Sequence, residues 1–262
     1  MTSEFTPRLR LAQDVAAAAW LAEATLEHGE AHSFIPACFA AYAQILHPAE
    51  TPAEEPVTWR AIADWLEIPL LPGVWFQDLD ELAEQRAQGD RPWTQEPMLG
   101  DIPDAILGRL TPFLIHHTSS RHGWFCLWAG WGSLTGSMSM SVSWPVDNPP
   151  PPGTPSLFHA EPAFGPEILK GPKVHLPTRD YFLFEGPIDA AGELGAEVSW
   201  RPGEKHTFER QTPSLWWPDD HAWCAANEIE ASFTCIGGTR ELIDELLEHP
   251  GLEVLELDPT LT

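Results

Sequence analysis

Residues 214–249 read SLWWPDDHAWCAANEIEASFTCIGGTRELIDELLEH, and the division of this stretch decides the fold. AWCAANEIE (222–230) and ASFTCIGG (231–238) read as two short strands. Thr239 then has the right side chain to cap a helix, RELIDELLEH, whose buried side carries Leu242, Ile243, Leu246 and Leu247. Glu241 in its first turn suits the helix dipole. VLEL, near the end of the chain, reads as an edge strand. Strands placed so late need earlier strands to pair with. The expectation is therefore one α+β domain over residues 1–262, with a mostly antiparallel sheet and flanking helices.

Working back toward the N-terminus, KVHLPTRDYFLFEGPI (173–188) reads as a strand pair or one long strand, and residues 186–213 as loop. Residues 145–166 hold Pro149 to Pro152 in a row and read as a long Pro-rich surface loop. Before it, GSMSMSVSW alternates apolar and polar residues with the period of a strand, and its edge is a candidate for pairing with another chain. HGWFCLWAGWG (122–132) reads as a buried strand. Helical spacing marks residues 13–29, WRAIADWLEI behind an N-cap at Thr58, an acidic helix over 79–88, and AILGRLTPFLIHH, where Pro112 is expected to kink or interrupt. Tyr42–Leu46 is strand or buried helix by pattern alone. AETPAEEP (49–56) reads as an acidic loop.

Composition narrows the function classes. The 262 residues carry 39 acids against 14 bases, a formal net charge of −25. Such a surface repels nucleic acid and anionic membranes and attracts a basic protein partner. Its plainest meaning is solubility. Thirteen Trp stand against two Tyr, which suggests either a core with polar tethers or a ring-lined groove. Cys38, Cys126, Cys224 and Cys235 form no CxxC pair, and the N-terminus lacks the order of a signal peptide, so a reduced, cytoplasmic protein is expected.

The opening stretch also holds the candidate binding residues. Pro218-Asp219-Asp220 reads as a turn, flanked by Trp216 and Trp217 on one side and Trp223 on the other. These rings are either core or the walls of a small-molecule pocket with Asp219, Asp220 and His221 at its mouth. No catalytic residue, metal or cofactor follows from any motif. His116 and His117 point about 100° apart on a helix, and His122 and Cys126 share a strand face but lie far apart for one ion. GWGSLTGS is not GxSxG, and CIGGTRE fits a strand-to-helix turn rather than a phosphate loop.

The blocks LWWPDDHAWCAANEIE, IGGTRELIDELL, FIPACFAAYAQILHPA and WFCLWAGWG resemble the signatures of a bacterial family of hypothetical proteins, with Ala226-Asn227-Glu228-Ile229-Glu230 where ATEID is usual. That family has no assigned activity, so the resemblance implies no catalytic residue. More loosely, the order of elements and the acidic surface are similar to SMI1/KNR4-type (SUKH) immunity proteins. The resulting expectation is a non-catalytic, immunity-like factor that binds a basic protein through an acidic face with Trp anchors. The alternatives are a small-molecule enzyme or binder at 214–230, and a nucleic-acid mimic.

Overall fold

Ala41–Leu46 settles what pattern leaves open: all six residues are buried, and the run is a strand. Its continuous apolar character reflects burial on both faces rather than helical packing. In the computed structural model, which describes residues 8–24, 35–86, 91–141, 157–159, 161–177, 179–199 and 207–258, nine strands join one antiparallel sheet. They are β1 (Arg10–Leu11), β2 (Ala41–Leu46), β3 (His122–Trp128), β4 (Val174–His175), β5 (Asp180–Pro187), β6 (Leu215–Pro218), β7 (Cys224–Ala226), β8 (Phe233–Gly238) and β9 (Val254–Leu257). The order across the sheet is β1-β5-β3-β6-β7-β8-β2-β9, with β4 beside β1 on the outer edge of β5. The expected α+β domain is what the chain forms.

Both faces of this sheet are covered. Alternate residues feed two separate cores. Tyr42, Leu46, Cys126, Leu183, Leu215, Trp217, Cys224 and Phe233 face one side. There they meet α1 (Ala19–Ala24), α2 (Trp59–Leu66) and α3 (Phe76–Arg86). Ala43, Ile45, Phe125, Phe182, Trp216, Ala225 and Ile236 face the other, against α4 (Asp104–His116) and α5 (Arg240–Leu247). The result is a three-layer sandwich.

Local chemistry sets each helix. Thr58 Oγ1 accepts from the Ala61 amide, and Thr239 Oγ1 from the Leu242 amide, as N-caps should. The remaining first-turn amides of α2 have a partner the sequence does not advertise. Trp59 N and Arg60 N donate to the Glu253 carboxylate at 2.7 and 2.8 Å. Glu253 O meanwhile accepts from Leu46 N, so one residue ties α2 to the sheet. Trp59 Nε1 adds a bond to His47 O.

Several expectations need correcting. α4 is not interrupted at Pro112, where the carbonyl deprived of its donor belongs to exposed Gly108 and water can replace the lost bond. Residues 186–213 are not all loop; of these, 200–206 lie outside the described residues. A 3-10 segment, Ile188–Glu193, packs Ile188, Ala190 and Ala191 into the second core, and Gly195–Val198 pairs with Thr207–Arg210. The acidic loop holds a small ribbon, Ala49–Glu50 with Pro56–Val57. The Met/Ser strand, Ser139–Ser141, pairs within its own chain with Leu157–His159, so part of the Pro-rich stretch is strand and 166–169 is a helical turn. Residues 145–156 of that stretch, and 25–29 of the first expected helix, lie outside the described residues.

His47 sits fully buried at the end of β2, its Nε2 2.9 Å from Thr234 Oγ1, and burial holds its imidazole down at about 3. The unfolded chain protonates this group below about 6.5 while the folded one does not, so stability falls with pH below that value. Between pH 7 and 5 the native protein should lose about 2 kcal/mol more than the His47→Gln variant, measured by urea unfolding at both pH values.

Candidate functional site

The turn after β6 places the expected site residues in three different environments. Trp216, Trp217 and Trp223 are each 0% exposed. Trp217 lies in the first core, while Trp216 and Trp223 pack edge to face at 5.1 Å in the second. Adjacent residues on a strand point to opposite faces, so the expected Trp-lined pocket does not form. Trp223 Nε1 donates to Leu114 O, which makes the ring a tether between β7 and α4.

Asp220 is structural too. Partial burial alone would raise its carboxyl. Hydrogen bonds from Ser119 and Thr118 side chains and from the Ser119 and Ala222 amides outweigh this and hold it down at about 2. Asp220 thereby fastens the 118–120 turn to the turn after β6. His221 adopts φ 51° there, a left-handed conformation that His tolerates better than most residues, and stacks on Trp20 at 4.6 Å. Burial lowers the pKa of His221, although Asp220 and Asp219 oppose the shift.

Asp219 points elsewhere and joins a cleft. It accepts from Trp124 Nε1 at 2.7 Å and lies 3.0 Å from His122 Nδ1. The other nitrogen of His122 is 3.6 Å from Glu185. Sheet register explains the meeting. Arg10, Glu185, Trp124 and Trp217 form one row across β1, β5, β3 and β6, and His122 lies opposite Pro187 in the next row. The pairing of Gly123 with Pro218 carries Asp219 alongside His122. His122, Glu185 and Asp219, together with Arg8, Arg10, Ser120 and Arg121, line an open cleft of about 550 Å³. Ser120 is not an activated nucleophile: its hydroxyl donates to His122 O and accepts from His122 N.

A second region is defined by charge. Glu54, Glu55, Asp64, Glu67, Asp78, Glu81, Glu84 and Glu96 are all exposed on the layer formed by α2, α3 and their flanking loops. In this layer Arg91 is bound to Asp80 at 2.8 Å and lies 4.0 Å from Glu84. The acid count was legible in the sequence, but its grouping on one layer was not.

Among the described residues, no group of three or more His, Cys, Asp or Glu is placed to hold a metal ion. All four cysteines are free thiols, and burial pushes the Cys235 thiol up to about 12. No described helix is long and apolar enough to cross a membrane. Comparison with known proteins finds no matching family, no matching curated protein and no matching solved structure.

Asp220→Ala removes the shared acceptor of two turns while leaving the cleft residues in place. Because the site is exposed, its cost is expected at about 1–2 kcal/mol by urea unfolding at pH 7.

Proposed function

We propose that the chain is a non-catalytic factor that binds a basic protein through the acidic layer of α2 and α3. The observation that carries this reading is the outward face of α3. Asp78, Glu81 and Glu84 are exposed there around Leu82, a large apolar side chain that is 42% exposed. Leu71, in the loop between α2 and α3, and Met98, in the segment after α3, are 59% and 65% exposed. Carboxylates steer a cationic partner and accelerate encounter, while exposed apolar side chains supply area to bury on contact.

This reading changes the anchors expected from sequence. Trp216, Trp217 and Trp223 belong to the cores, so contact falls to Leu71, Leu82 and Met98 instead. The finer, immunity-like reading rests on the loose similarity to SUKH proteins and on charge. In that role the partner is a basic effector that the acidic layer covers.

The test is affinity capture on the immobilised full chain from a lysate of its own source, at low and at high salt. A direct affinity measurement follows with each partner recovered. The reading expects a basic partner whose binding weakens more than tenfold between about 0.05 and 0.5 M salt. It also expects the triple variant Asp78→Asn, Glu81→Gln, Glu84→Gln to bind at least tenfold more weakly. Recovery of no salt-sensitive partner, or equal affinity for the triple variant, rejects it.

A further inference from the structure

We propose that the cleft at the β1-β5-β3-β6 corner of the sheet binds a small oxyanion, such as an inorganic phosphate or a small dicarboxylate. Cations are scarce along the chain and gather at this cleft. The chain has 14 Lys and Arg in 262 residues, yet Arg8, Arg10 and Arg121 line this one cleft. Arg8 is already bound, by Glu193 and Asp189. Among the described residues, Arg10 and Arg121 have no carboxylate partner, although carboxylates outnumber cations almost threefold along the chain.

The two carboxylates of the cleft are turned to His122, which separates them from the arginines' task. Asp219 is occupied by the Trp124 and His122 ring nitrogens, and Glu185 lies on the far nitrogen of the same imidazole. The strand that carries Arg10 is held close by a missing side chain. A Cβ on Gly186 would come within 2.8 Å of Leu9 and 2.9 Å of the Arg8 carbonyl, so glycine at that position lets the arginine-bearing segment lie against β5. Guanidinium groups offer paired N–H donors that match the geometry of a carboxylate or phosphate.

The net charge of −25 does not cancel this local site. The acidic layer packs over the β2 end of the sheet, where Gln44 bonds the backbone leading into α3. β3 and β2 stand four strand spacings apart, about 19 Å, beyond the roughly 8 Å over which charges act at physiological salt. The charge an anion meets in the cleft is therefore set by the lining itself, Arg8, Arg10 and Arg121 against Glu185 and Asp219, and not by the acidic layer. The site is also distinct from the protein-binding layer, so either assignment can fail without the other.

Isothermal titration of the full chain with inorganic phosphate and, separately, with malonate tests the proposal. At least one anion should give saturable binding. Arg10→Gln and Arg121→Gln should each weaken it about tenfold or more, while Arg91→Gln, in the acidic layer, should leave it unchanged. Both arginines are exposed, and circular dichroism verifies that the variants fold. Which of the two anions binds more tightly identifies the ligand group. Absence of saturable binding by both anions, affinity unchanged in the cleft variants, or equal weakening by Arg91→Gln overturns the assignment.

Discussion

Two adjacent indoles, Trp216 and Trp217, stand at the middle of the molecule, and the strand they occupy must be buried on both of its faces. Each is fully buried, and each enters a different core. Trp217 meets Trp20 of α1 edge to face at 5.7 Å, and Trp216 meets Trp223 and Phe125 on the other side. A strand covered on both faces offers no position to solvent, so β2, β6, β7 and β8 are buried along their whole lengths, and their polar Gln44 and Thr234 find hydrogen bonds inside. Large aromatic areas on both faces supply the hydrophobic free energy that holds the three layers together.

That constraint displaces polarity to the ends of strands and to the outer layers. Where the sheet thins toward β1, side chains of the edge rows reach solvent, and His122, Glu185, Asp219 and the arginines collect there. Where α2 and α3 cover the other end, their outward faces carry carboxylates. Screening allows the two regions to coexist, since neither lies within a Debye length of the other. Some of the buried polar groups that remain are held by specific bonds: Thr234 against His47 Nε2, and Asn227 Nδ2 against Thr212 Oγ1.

Several elements could be read before any coordinates. Thr58 and Thr239 announce helix starts through their caps, and the Pro-Asp-Asp turn follows from side chains that bond their own backbone. The hairpin Gly195–Val198 with Thr207–Arg210 could not, because its Gly, Pro and charged residues mask the short pairing. The continuation of α4 past Pro112 was hidden for a related reason. The effect of the proline depends on whether the orphaned carbonyl faces water, and periodicity does not report exposure. At the site, His122 and Asp219 were each noticeable alone. They lie 97 residues apart, and nothing local couples them.

The amino-acid order by itself determined the class of the protein: an α+β domain with an antiparallel sheet, an acidic exterior and capped helices. These are short-range matters, settled by side-chain period, capping chemistry and summed charge. Only the tertiary structure decided which residues meet. The register of β5, β3 and β6 brings Arg10, Glu185, His122 and Asp219 to one corner, and strand alternation sends Trp216 and Trp217 to opposite cores. Register arises from pairing between distant segments, so it becomes visible only when the sheet is assembled.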